Sequence, residues 1–236
     1  MTLTNKDLKR TIINSSKVNS LSHIGSCLSM VDLLDCVYKK RLPCDPVILS
    51  AGHSAVALYA VLEKYDSIDS QLLFDTHGVH PNRDIRGSKT LIYASSGSLG
   101  HGIGIGVGMA LADRGQVVYC LVSDGELAEG SCWEALRVAA ELNVMNLKLL
   151  VNYNGYGAYR PIAKESLIAG LQANGWGVYA AQELAEIELG LDTSLEFPVA
   201  VFVTTTSEQL PFLKGLDSHY HVMTDHEYEE AMELLQ

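Results

Sequence analysis

Paired cysteines, long apolar runs and positive charge are what this 236-residue chain lacks. Its five cysteines, Cys27, Cys36, Cys44, Cys120 and Cys132, show neither a paired framework nor Cys-x-x-Cys spacing, which argues against a disulfide scaffold. Most stand among apolar neighbours, so buried free thiols and a reducing compartment are expected. The longest apolar, glycine-rich run, Ile103 to Ala112, is too short to span a bilayer. The polar N-terminus, MTLTNKDLKRTIINSS, has no apolar centre of the kind a signal peptide needs. Only 17 Lys and Arg stand against 28 Asp and Glu, and a net charge of −11 argues against nucleic acid or an anionic membrane as the main partner. The expected setting is cytoplasmic. A local anion pocket survives such a field, because backbone dipoles and a bound metal outweigh distant carboxylates.

What is present is a globular composition, 47% apolar and 19% charged, long enough for a full core. We read residues 1–236 as one domain. Helical periodicity predicts helices near 5–18, 29–40, 53–65, 100–113, 130–142, 163–174, 182–190 and 225–235. Short apolar runs predict strands at 47–49, 117–122, 147–151, 178–180 and 199–204. Such continuous runs suit strands buried on both faces, so the expected fold class is α/β, a mostly parallel central sheet with helices on both faces. The tract 74–97 carries Gly, Pro, Asn and charges without periodicity and reads as a long functional loop. Its Arg83, Arg86 and Lys89 read as solvated charges, with contact to an anionic substrate as the other reading. In Gly97–Gly108, GSLGHGIGIGVG, glycines recur at four-residue spacing. Each costs a helix roughly 1 kcal/mol against Ala, a cost that makes sense where another helix backbone approaches closely.

The most informative stretch is Leu121–Tyr156. An apolar strand ends in Asp124-Gly125-Glu126, a helix follows, and a second strand ends in Asn152-Tyr153-Asn154-Gly155. Parallel strands joined by a helix would bring Asp124 and Asn154 to the same carboxyl edge, where open α/β sheets bind ligands. A carboxylate and an amide oxygen there suit a hard cation such as Mg²⁺, which also takes phosphates. Gly125 permits close approach of a diphosphate, and the following helix N-terminus favours the anion. The chemistry indicated is a metal-bridged organic diphosphate. A plain βαβ unit, with Asp124 capping a helix and Asn154-Gly155 making a turn, would give the same pattern.

Asp-Gly followed about thirty residues later by Asn resembles the thiamine-diphosphate motif, and the continuation Glu126-x-x-Glu129-Gly130-x-x-x-Glu134-Ala135 resembles transketolases. Ser123 departs from the family's usual glycine. Further segments match that family in chain order: Ser22-His23-Ile24-Gly25, Leu49-Ser50-Ala51-Gly52-His53, His80-Pro81 (with Val79 in place of a glycine), and Lys214-Gly215 followed by Ser218-His219. The resemblance runs from about residue 8 to 235.

The resemblance implies a thiamine-diphosphate-binding fold of the diphosphate type, and roles for single residues. Asp124, Asn154 and the carbonyl of Tyr156 would hold Mg²⁺ or Ca²⁺. His53, Gly125 and His219 would contact the diphosphate, with Glu126 beside them in the cofactor site. Gly97, Ser98 and Leu99 would support the pyrimidine ring. His23, His80 and His219 would bind donor hydroxyls and move protons, for which histidine's pKa is suited. Glu129 would couple two cofactor sites, unless it is a solvated helix-start carboxylate. The glycine-rich helix would lie near an interface. In the family a glutamate on a second, pyrimidine-binding domain activates the cofactor, and this sequence stops at Gln236 without one. The implied protein is the N-terminal subunit of a split transketolase. It would be inactive alone, working on sugars or sugar phosphates when paired as α₂β₂ with a pyrimidine-domain subunit. Two other readings stand beside it: the α subunit of a 2-oxoacid dehydrogenase or lyase, and a non-catalytic scaffold. The histidine set favours transketolase.

Overall fold

The computed structural model describes residues 3–83, 91–157 and 160–236. Arg86 and Lys89 of the charged loop lie outside them. Among the described residues five strands, β1 (Val47–Leu49), β2 (Val118–Ser123), β3 (Leu147–Tyr153), β4 (Gly177–Ala181) and β5 (Val199–Thr204), form one sheet in the order β1-β2-β3-β5-β4. Every pairing is parallel, with Leu49 opposite Leu121 and Ser123 opposite Asn152. β1, β2, β3 and β5 are almost wholly buried because both faces of the sheet are covered, which is why they read as unbroken apolar runs.

One face carries α1 (Lys6–Val18), α2 (Ile24–Lys40), α3 (Ala55–Asp66), α4 (Ser70–His77), α8 (Leu184–Asp192) and α9 (Asp225–Leu234). The other carries α5 (Gly102–Ala112), α6 (Gly130–Glu141) and α7 (Lys164–Ala173). Alternate strand residues feed the two cores: Leu121 and Leu150 pack under α2, Cys120, Val122, Leu149 and Val151 under α5 and α6. The fold class is therefore the expected α/β with a parallel sheet. No described helix is long and apolar enough to cross a membrane.

Two expected boundaries are corrected. α2 begins at Ile24, not 29, because its first turn packs tightly: a Cβ on Gly25 would lie 2.6 Å from the carbonyl oxygen of Ser207. The loop expected from 74 starts later, because α4 occupies Ser70–His77, with the Asp69 side chain accepting from the Leu72 amide and Gly78 (φ 79°) ending the helix. The glycines of α5 divide between two faces of the helix. Gly102 and Gly106 face the sheet, where a Cβ would press on Ser50 and on Leu147, whereas a Cβ on Gly104 or Gly108 would meet nothing within 4 Å.

Candidate functional site

Chain segments leaving the carboxyl ends of β1, β2, β3 and β5 converge on one edge of the sheet. After β2 the chain turns sharply at Asp124, and a 3-10 turn, Glu126–Ala128, intervenes before α6. That turn, not an α-helical N-terminus, is the backbone next to Gly125. Asp124 is buried and reaches across to the end of β3, its Oδ2 accepting from the amides of Asn154 (3.0 Å) and Gly155 (2.7 Å). Its Oδ1 accepts from the Gly125 amide at 2.9 Å. The Asn154 Oδ1 accepts from the Tyr156 amide at 3.0 Å, and Gly155 takes φ 90°, a turn that glycine makes without strain. Burial pushes the Asp124 pKa up to about 6, against the three amides that favour its carboxylate.

Asp124, Asn154 and Tyr156 line a cavity of about 220 Å³ together with His23, His53, Gly97, Leu99, Gly125, Glu126 and His219. The three imidazoles form a cluster with ring centroids 5.0 to 5.8 Å apart. His23 sits just before α2 in the left-handed region (φ 63°), unusual for a residue with a Cβ. Its amide donates to the His219 carbonyl (3.1 Å) and its Nδ1 meets Ser22 Oγ (2.9 Å), so both backbone and ring are held. Burial, then the neighbouring histidines, lowers the pKa of His23 to about 4 and of His53 to about 3, and burial lowers that of His219. At neutral pH the cluster is uncharged, able to donate and accept hydrogen bonds and to gain charge when an anion arrives.

His80 is exposed and packs on the glycine loop, its ring 3.1 Å from where a Gly97 Cβ would stand. Ser98 is exposed too, with its carbonyl against His101 Nδ1. Glu129 is not brought into the histidine-lined cavity. It is exposed on an adjoining groove of about 760 Å³ that Leu99, Leu127, Ile162 and Leu167 make largely apolar. Ser123, where the family carries glycine, turns its hydroxyl inward to accept from the Glu126 amide at 3.2 Å. Sequence reasoning missed Tyr220, 62% exposed at the cavity rim and edge-on to the rings of His23 and His219. The signal was there, an aromatic beside a candidate histidine. Among the described residues no three His, Cys, Asp or Glu side chains converge as a metal site, so an ion here would draw on amide and carbonyl oxygens as well.

An acidic turn, an amide turn and a histidine cluster at the carboxyl edge of a parallel sheet define the class as a cofactor-binding α/β domain. The family model for the transketolase thiamine-diphosphate-binding domain matches residues 11–196, and the chain belongs to the transketolase family. It is 32% identical to mouse (Mus musculus) transketolase-like protein 2 over 68% of this chain, but spans only 29% of that protein. It is 28% identical to a relative from Phocaeicola vulgatus named as one subunit of an apulose-4-phosphate transketolase, over 89% of this chain and 84% of the relative. The putative uncharacterized transketolase family protein y4mO of Sinorhizobium fredii is 29% identical over 97% of this chain and 92% of its own length. In fold, 98% of the chain superposes on 41% of the Campylobacter jejuni transketolase, with a TM-score of 0.81 at 22% identity.

Proposed function

We propose that this chain is the N-terminal subunit of a split transketolase. It binds Mg²⁺ and thiamine diphosphate and, with a separate pyrimidine-domain subunit in an α₂β₂ assembly, moves a two-carbon ketol unit from a ketose or ketose phosphate to an aldose. The observation that carries this reading is the cavity in which three neutral histidines face the Asp124–Asn154 turn. The residues fit the group. Asp124, the Asn154 amide oxygen and the Tyr156 carbonyl supply the hard oxygen ligands that Mg²⁺ prefers, leaving room for phosphate oxygens. The close backbone approach at Gly52 and Gly97, where a Cβ on Gly52 would lie 2.6 Å from the Gly97 amide nitrogen, gives the wall of a tight cradle.

When bound, the cofactor supplies the nucleophilic carbon that takes up the two-carbon unit. The chain's own residues position and exchange protons. His53 and His219 hydrogen-bond the diphosphate and gain positive charge beside it. His23 and His80, at the open side, bind donor hydroxyls and carry protons. Gly97, Ser98 and Leu99 support the pyrimidine ring, Gly125 and Glu126 flank the cofactor, and Glu129, on the neighbouring groove, faces the partner and couples paired sites. Two relatives, each named as one lettered subunit of an apulose-4-phosphate transketolase, support both the split arrangement and a phosphorylated sugar. The buried thiols of Cys27, Cys36, Cys120 and Cys132 suit a reducing cytoplasm.

The test is a tagged pull-down from the native host, followed by reconstitution with the captured partner. A stoichiometric pyrimidine-domain subunit, with Mg²⁺-dependent cofactor binding and ketol transfer by the pair alone, is the expected result. A pair that binds no thiamine diphosphate would overturn the reading in favour of a scaffold.

A further inference from the structure

Within the cavity wall lies a buried polar junction made by residues far apart in sequence. Ser50, at the end of β1, and Glu126, after β2, are both 0% exposed. The Ser50 hydroxyl donates to Glu126 Oε1 at 2.5 Å, and the same oxygen accepts from the Gly100 amide at 2.8 Å. Ser50 Oγ in turn accepts from the Gly102 amide at 3.1 Å. Glu126 is itself anchored, its amide donating to Ser123 Oγ and its carbonyl facing the Cys132 thiol at 3.3 Å. Three chain segments therefore meet at one carboxyl group: the turn after β1, the glycine loop before α5, and the turn after β2. The approach leaves no slack, since a Cβ on Gly102 would fall inside the Ser50 side chain and 2.8 Å from its Cα.

A buried carboxyl is expensive, and this one is only half used: Oε2 is buried without a hydrogen-bond partner among the described residues. An apolar side chain of that size would fill the space more cheaply, but would leave the amide of Gly100 unheld. Glu126 thus spends its bonding oxygen on the loop rather than on the cavity.

We propose that Ser50 and Glu126 are positioning residues that clamp the Gly97–Gly102 segment, so that Glu126 serves the pyrimidine end of the cofactor site through Gly100 rather than by touching the diphosphate. This rests on the cofactor reading above and gives that site two separable halves. The diphosphate half is set by Asp124, Asn154, His53 and His219. The pyrimidine half is set by the clamp.

The experiment uses the reconstituted complex at saturating Mg²⁺ and measures calorimetric affinities for two probes, thiamine diphosphate and inorganic pyrophosphate. Glu126→Leu and Ser50→Ala are expected to weaken thiamine diphosphate at least tenfold and about threefold respectively, with pyrophosphate affinity within twofold of wild type. Glu126→Gln keeps an oxygen for the Gly100 amide and should restore thiamine diphosphate affinity to within about threefold. Equal weakening for both probes, or no change in either, would overturn the clamp. Should Glu126→Leu fail to fold, Ser50→Ala, which deletes one oxygen, decides alone. Failure of the cofactor reading itself looks different, because the wild-type complex would then bind neither probe.

Discussion

Replacing Gly104 by alanine should make this chain more stable when isolated and its assembly weaker. The helix interior favours Ala over Gly by about 1 kcal/mol, and beyond its own helix backbone the added methyl at Gly104 meets no described atom within 4 Å. Nothing among the described residues offsets that gain. For a protein of this size 1 kcal/mol moves the midpoint by roughly 2–4 °C. Gly102→Ala is the internal control: its methyl would collide with Ser50, and overpacking of that kind costs about 1–3 kcal/mol, so its midpoint should fall. Thermal unfolding by circular dichroism, on a dilute sample shown by light scattering to be monomeric, reads both. A lower midpoint for Gly104→Ala in the monomer would refute the reasoning. The functional half follows from the same open face. If α5 meets a second subunit through it, as the family resemblance implies, Gly104→Ala should weaken assembly at least tenfold by sedimentation. Unchanged assembly would place the interface elsewhere.

Asp124→Ala should weaken Mg²⁺-dependent thiamine diphosphate binding in the reconstituted complex at least a hundredfold, and unchanged calorimetric affinity would remove Asp124 from the metal site. Because burial holds His23 near 4 and His53 near 3, NMR titration of the isolated chain should show neither ring gaining a proton above pH 5. A midpoint near 6.5 for either would contradict the packed cluster. At these two histidines the unfolded chain binds more protons than the folded one below pH 6.5, down to about 4 for His23 and about 3 for His53. Their contribution to stability should therefore be lost on acidification through that window, while Asp124, raised to about 6, works in the opposite direction. On α1, the Lys9 ammonium is almost fully buried against Asp32 at 3.1 Å, and Asp32 also accepts from Thr4 and Asn5. Asp32→Ala should cost about 3–5 kcal/mol in denaturant unfolding, and Lys9→Met with Asp32→Leu should recover most of it. A loss below about 1 kcal/mol would show the pair to be idle.

The strands were legible because a sheet covered on both faces demands unbroken apolar runs, and β1, β2, β3 and β5 supply them. The same logic hid the first turn of α2. From Ile24 to Tyr38 every residue is buried, so no solvent-facing side marks where the helix begins. Gly25, Ser26 and Ser29 lower its propensity, and tertiary packing overrides them. α4 was missed for the opposite reason. It buries only Ser70 and Leu73 and leaves Leu72 59% exposed, so the evidence for it lay in its ends, Asp69 before and Gly78 after.

The candidate site divides along a similar line. Asp124 and Asn154 announce themselves because each closes a strand, and parallel register alone brings their turns together. The histidines announce themselves only as a set, since each stands on a different segment and the fold must gather them. Ser50 and Glu126 had no such signal. They are separated by 76 positions, and a glutamate directly after Asp-Gly reads as a carboxylate at the cofactor or at a helix start. What distinguishes Glu126 is that it is buried and bonded to a backbone amide, a fact that exists only once β1 and β2 lie side by side. Motif residues that carry the chemistry can be read from their type, because the chemistry selects the type. The residues that fix the geometry are selected by what surrounds them, so a serine and a glutamate with no reactive role can decide how well the cavity holds its ligand.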